Sequence, residues 1–262
     1  MPFYPIIQAP YCIGRTVVHN FPANNWEKFR IIDRYVNVTY LEKGIWKSET
    51  IQKIKSGQSL GFSKNDLGFD NSNESPILLS LSDYIIQNSE HLRIPDISLD
   101  ATYYPVHRGS IKLISDYTST SYQGEIIPFP STGSFLSFPS FIQKGMGIEN
   151  YMLLLNIENE PSKRKEKVYF FEANTRNLMG SIDVFSNYLN LIDLDQFCFD
   201  SGDLPIILCK KMSFVPLFFS TEKKGKFMSL EHTHPPASFA VHGERFLIQK
   251  YIKNFWFEEL KI

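Results

Sequence analysis

Tyr151-Met152-Leu153-Leu154-Leu155 and Val168-Tyr169-Phe170-Phe171, joined by the polar link Pro161-Ser162-Lys163-Arg164-Lys165-Glu166-Lys167, decide the fold class of this chain. Both runs are short, apolar and bounded by polar residues, as buried strands are. The link has the polarity of a solvated hairpin loop, so the two runs are predicted to pair. The arrangement recurs downstream. Gln196-Phe197-Cys198-Phe199 and Ile206-Ile207-Leu208-Cys209 flank a turn at Asp200-Ser201-Gly202-Asp203. Phe214-Val215-Pro216-Leu217-Phe218-Phe219 and Phe227-Met228-Ser229-Leu230 flank Glu222-Lys223-Lys224-Gly225-Lys226. Successive hairpins predict a largely antiparallel sheet. Pro216 has no amide to give to a ladder, so its strand is expected at an edge or a bulge.

Toward the C-terminus, Phe246, Leu247, Ile248, Tyr251, Ile252, Phe255 and Trp256 recur at helical spacing, with Lys250, Lys253, Asn254 and Glu258 largely outside the stripe. This predicts an amphipathic helix over 244–261 that covers the sheet. Toward the N-terminus, residues 1–45 read as extended, and Arg34-Tyr35-Val36-Asn37-Val38-Thr39-Tyr40-Leu41 alternates in polarity like a strand. Ser48, Ile51, Ile54 and Gly57 are spaced as the cap, face and stop of a short helix. Gly57 to Ser75 reads as a polar loop. Pro76, Leu78, Leu81 and Ile85 predict a second helix ending near His91. The expected fold is α+β, mainly β, with a largely antiparallel sheet covered by the C-terminal helix and one or two further helices. Residues 1–262 are expected to form a single domain, with residues 1–75 as a looser subdomain.

Hydrophobic residues make up 43% of the 262, and 22 Phe and 13 Tyr supply ample core material. The formal charge is −1, from 27 basic and 28 acidic residues, so net charge does not indicate nucleic-acid binding. No apolar run approaches the ~18 residues that span a bilayer. The N-terminal residues lack the basic and apolar regions of a secretion signal. The three cysteines, Cys12, Cys198 and Cys209, are an odd and sparse set that fits a reducing compartment better than a disulfide scaffold. Scarce Ala beside abundant Ile, Lys, Asn and Phe reads as the coding bias of an AT-rich genome. Together these features predict a soluble bacterial protein of the cytoplasm.

Three of the six histidines fall in Glu231-His232-Thr233-His234-Pro235-Pro236 and His242-Gly243-Glu244. In an extended chain His232 and His234 project to one side, and Pro235-Pro236 stiffens the exit. Two imidazoles on a strand end are a way to hold a divalent metal, the one cofactor this pattern raises, or to move a proton. Glu231 and Glu244 stand near as acid/base groups. The bland reading is that the imidazoles bond loop carbonyls and orient the Pro-Pro turn. A second constellation, Asp116-Tyr117-Thr118-Ser119-Thr120-Ser121-Tyr122-Gln123-Gly124-Glu125, concentrates phenols, hydroxyls and two carboxylates. Such residues line sites for sugars, nucleotides or peptides, but they are equally common on plain exposed strands. No P-loop, Gly-x-Gly-x-x-Gly, Gly-x-Ser-x-Gly, His-Glu-x-x-His or Cys-x-x-Cys pair is present.

Two functions follow as expectations. The first is a binding protein that recognises a small polar ligand or a protein partner through Asp116, Tyr117, Tyr122, Glu125 and His242. The second is a metal-assisted or His-based hydrolase or lyase, with His232 and His234 as ligands or proton carriers and Glu231 or Glu244 as acid/base.

Overall fold

Ile13–His19 (β2) alternates buried and less buried residues, the two-residue period of a strand with one face in a core. Ile148–Asn156 (β11) is buried at every position from Met152 onward, as a strand covered on both faces is. The computed structural model describes residues 3–21, 33–70, 74–96, 109–124, 126–139, 143, 145, 147–197, 205–232 and 245–262, with backbone alone for 245–249. Before β2 comes Tyr4–Pro5 (β1). After it come Arg34–Glu42 (β3), Ile45–Ile54 (β4), Ser59–Ser63 (β5), Ile77–Ser82 (β6), Ser89–His91 (β7), Gly109–Ile114 (β8) and Ser119–Gln123 (β9). Phe135–Ser137 (β10) precedes β11. Then follow Lys165–Glu172 (β12), Leu178–Phe185 (β13), Tyr188–Asp193 (β14), Pro205–Cys209 (β15), Val215–Glu222 (β16), Met228–His232 (β17) and the helix Arg245–Glu259 (α1). No helix among the described residues is long and apolar enough to cross a membrane.

Among the described residues the strands form four sheets, ordered β1-β6-β3-β4-β7, β5-β2-β8-β9, β10-β15-β12-β13 and β14-β11-β16-β17, and neighbours within each are antiparallel. The chain therefore carries one strand plan twice. With β7 set aside as an insertion, β1 to β6, β8 and β9 map in chain order onto β10 to β17, and both sheets of one half reproduce those of the other. Each half also has a 3-10 turn in the same place, Asn65–Leu67 after β5 and Asp195–Phe197 after β14. Faint echoes of sequence accompany the plan. Pro76-Ile77-Leu78-Leu79-Ser80 answers Pro205-Ile206-Ile207-Leu208-Cys209, and Ile7-Gln8 stands at the same distance before Ile13 as Ile142-Gln143 before Ile148.

Each half is a sandwich with its own core. Val18, Val36, Ile54, Leu79 and Leu81 join the two sheets of the first half. Met152, Leu154, Val168, Phe170 and Ile207 join those of the second. Between the halves lies a third cluster, in which Leu153, Leu155, Leu217 and Phe219 from the back of the β11 sheet meet Phe3, Trp46, Leu78 and Ile111. This accounts for the unbroken apolar run at Tyr151–Leu155: alternate residues feed two different cores. The outer face of the β15 sheet is closed by α1, where Phe257 and Leu260 pack on Leu136, Phe171, Ile206 and Leu208.

Several expectations are corrected. β11 pairs with β14 and β16, and β12 with β13 and β15, so Tyr151–Leu155 and Val168–Phe171 do not form a hairpin. They face each other across one core. The polarity of a link does not tell a hairpin from an arch that carries the chain between sheets. This arch is held by Asn187, whose Oδ1 accepts from the Glu158 amide at 2.7 Å and whose Nδ2 donates to the Glu160 and Ser162 carbonyls at 2.6 and 3.0 Å. Gln196 and Phe197 lie in a 3-10 turn, and β15 pairs with β10 and β12 instead of with them. The third hairpin is as expected, β16 with β17. Pro216 nevertheless belongs to an interior strand. Its carbonyl faces β17, and among the described residues the β17 ladder begins one residue later, at Leu217 opposite His232.

Both predicted N-terminal helices are strands. Ile51 and Ile54 belong to β4, which turns back on β3 through Lys43 and Gly44 at φ 50° and 76°, a two-residue hairpin turn of the primed type. β6 is buried at every position, so its Leu spacing carries no period to read. The loop expected over Gly57–Ser75 contains β5 and the first 3-10 turn. Among the described residues the further helices are only these 3-10 turns.

α1 forms as predicted, but its buried face is rotated. Phe257 and Leu260 are buried, Ile252 and Trp256 are half-buried, and Phe255 and Tyr251 remain 45% and 73% exposed. Phe257→Ala is therefore expected to destabilise by about 3 kcal/mol or more, while Phe255→Ala costs less than about 1 kcal/mol. Urea unfolding of the two variants checks this order, and the reverse order would return the helix to the face expected from its sequence.

Candidate functional site

The β8–β9 turn is built by a serine. Ser115 Oγ accepts from the amides of Tyr117 and Thr118 at 3.2 and 3.1 Å, the local bonding that makes serine a turn former. The same hydroxyl donates to the carbonyl of Gly225, 2.6 Å away, in the β16–β17 turn. Gly225 has φ 65°, and a Cβ there would fall 2.6 Å from Ser115 Cβ, so only glycine fits. The equivalent hairpins of the two halves thus meet tip to tip. From that contact β9 and β17 run alongside each other.

At the far end of this seam the rings of Tyr122 and His232 lie 4.8 Å apart, tilted by 48°. His232 Nδ1 is 3.0 Å from the Pro216 carbonyl. A carbonyl only accepts, so Nδ1 carries the proton, and in the neutral ring the lone pair lies on Nε2. Burial pushes the Tyr122 phenol above its ordinary pKa and keeps it protonated. Along the seam Ser119, Ser121, Gln123 and Glu231 are exposed, while Thr120, Tyr122, Ser229 and His232 are half-buried. Glu231 points away from His232, as strand alternation requires.

Among the described residues, the two constellations read from the sequence therefore meet at Tyr122 and His232. Asp116 and Tyr117 sit in the turn before β9, at the other end of a strand that spans about 13 Å at ~3.3 Å per residue. There they line a pocket of about 540 Å³ with Tyr11, Lys223 and Lys224. Lys226 Nζ lies 5.7 Å over the Tyr117 ring. On the same side Glu149 accepts from the Tyr151 phenol at 2.7 Å, and that bond is the main reason its carboxyl is held below the usual range. Glu125, His234, His242 and Glu244 lie outside the described residues, so the His-x-His pair is placed only at His232. Among the described residues no group of three His, Cys, Asp or Glu is arranged to hold a metal ion.

Sequence reasoning missed the Pro216 carbonyl as the partner of His232 and the contact between β9 and β17. The first depends on the register of β17 on β16 within one hairpin, and the second arises from the meeting of the two halves, so neither shows in a short stretch of sequence. Cys12 and Cys209 are buried free thiols in different clusters, and burial pushes the first up to about 12 and raises the second. Cys198 lies outside the described residues. Thiol titration after denaturation without reductant is expected to find three reactive groups, and a count of one would reveal a bridge. No family model, curated protein or solved structure matches this chain.

Proposed function

We propose that this chain is a binding protein that recognises a polar ligand or a partner chain along the β9–β17 seam. The observation that carries the reading is the Tyr122–His232 contact, which joins the two chemically richest segments of the sequence at the boundary between two similar halves. Ligand sites favour such boundaries. Tyr122 and His232 form the inner, half-buried side of the seam, and by strand alternation the hydroxyls of Ser119, Ser121 and Ser229, the Gln123 amide and the Glu231 carboxylate stand on its outer side, where they offer donors and acceptors. Saturation-transfer NMR against a panel of mono- and disaccharides, nucleotides and short peptides tests the reading. Wild-type protein is expected to contact a panel member, and Ser121→Lys, which fills the seam from an exposed position, is expected to lose that contact. Binding that survives Ser121→Lys unchanged would overturn it.

The competing reading is a metal-assisted or His-based hydrolase or lyase, with His232 and His234 as ligands or proton carriers and Glu231 or Glu244 as acid/base. It differs in requiring chemistry at Nε2 of His232. Elemental analysis of protein purified without a His tag separates its metal-assisted form from the binding reading, which expects no stoichiometric divalent ion.

A further inference from the structure

We propose that the cleft between α1 and the β10–β15 edge of the sheet it covers binds a small amphipathic anion, a phosphate or carboxylate head on an apolar body. The cleft holds about 650 Å³, within the size range of small-molecule sites. Lys210, Lys250 and Lys253 line it, and no Asp or Glu does. Among the described residues no Asp or Glu side chain pairs with any of the three; Lys210 Nζ donates to the backbone oxygen of Ile262 at 2.8 Å, so the charge of the cleft rests on Lys250 and Lys253. Phe135, Phe214 and Phe257 supply apolar walls beneath them. The charge and the apolar surface thus occupy one concavity, which matches an anion carrying an apolar body rather than a bare ion.

Lys253 is the informative residue. It lies on the same helical face as Lys250, Asn254 and Phe257, at positions i, i+3, i+4 and i+7. A face that packs on a sheet should be apolar, and two like charges three residues apart disfavour the helix. Lys253 Nζ donates to the Ser134 carbonyl at 2.6 Å, which also accepts from Ser213 Oγ at 3.2 Å. A neutral carbonyl orients the ammonium without balancing its charge, and burial lowers its pKa. Residues that break a local folding rule without structural gain concentrate at functional sites. An anion in the cleft supplies the missing counter-charge. This site does not rest on the seam: Pro216 stands between them, its side lining the cleft while its carbonyl accepts from His232.

Isothermal titration of the full chain with adenosine monophosphate and octanoate, against adenosine, octanol and inorganic phosphate, tests the proposal. At least one organic anion is expected to bind at submillimolar concentration, its neutral counterpart not to bind, and inorganic phosphate to bind more weakly. The arm that responds distinguishes a phosphate ligand from a carboxylate one. Lys253→Met keeps the stem and removes the charge. It is expected to weaken that binding about tenfold or more while leaving unliganded stability equal or higher. Exposed Lys250→Met gives the same loss with no risk to folding, and Lys167→Met, outside the cleft, leaves affinity unchanged. No binding by either organic anion, equal binding of their neutral counterparts, or affinity untouched by both Lys250→Met and Lys253→Met would each overturn it.

Discussion

Gly14→Ala abolishes the native state or lowers its stability by at least about 4 kcal/mol, the range reached only when a substitution attacks the fold itself. Gly14 lies in β2 opposite Leu113 of β8, and its amide is 3.2 Å from Gln8 Oε1. A Cβ at this position would stand 1.6 Å from the Ile7 carbonyl oxygen and 2.7 Å from the carbonyl carbon. Both are backbone atoms, so no rotamer change relieves the overlap. Ile7 is itself buried in the cluster between the two halves, and moving it opens that cluster. A loss of this size is a large part of the ~5–15 kcal/mol by which domains are stable. Urea unfolding followed by tryptophan fluorescence measures it, and a midpoint equal to wild type would show that β2 and the chain at Ile7 do not approach in this way.

Glu158→Ala is expected to cost about 3–5 kcal/mol, because it strips a buried ion pair of one partner. The Glu158 side chain is 3% exposed and receives Arg164 Nη2 and Nε at 2.5 and 3.1 Å. Arg164 sits where the chain enters β12, so the pair ties the two ends of the arch that links facing sheets. Arg164 is partly open to solvent, with Glu166 Oε1 3.8 Å away and the Lys211 carbonyl at 3.5 Å, which sets the expected loss toward the lower end of the range. The double variant Glu158→Ala/Arg164→Met is expected to recover part of the loss, since no charge is then stranded. Losses in the single variants that simply add in the double variant would mean the two residues act independently.

Much of the fold was legible in short stretches. Arg34–Leu41 alternates and is β3; the last turns of the chain have helical period and are α1; Phe214–Leu230 shows both strands of its hairpin and the polar turn between them. Where period vanished, so did the reading. β6 feeds cores on both faces, and its run of Ile and Leu looks as helical as it looks extended. Ile51 and Ile54 fall at helical spacing in β4 because Ile51 is the extra residue of a bulge opposite Val36 and Asn37, which breaks the alternation. The repeated plan was hidden for a related reason: a sandwich constrains which positions are buried far more than which residues fill them, so only fragments such as Pro76–Ser80 and Pro205–Cys209 still correspond. At the candidate site, Tyr122 and His232 stood out by chemistry, but their meeting depends on two turns, at Ser115 and Gly225, docking across the halves. Lys253 falls outside the apolar stripe of its helix because that stripe, which includes Tyr251 and Phe255, lies a step around from the face that packs through Phe257 and Leu260.

The proposed binding along the β9–β17 seam is read out residue by residue from amide chemical shifts of the isotope-labelled full chain on titration with the panel member it binds. The shifts are expected to concentrate in Ser119–Gln123 and Met228–His232, with the largest at the Tyr122 and His232 ends of the two strands. Shifts that leave both strands still while moving residues elsewhere would contradict it.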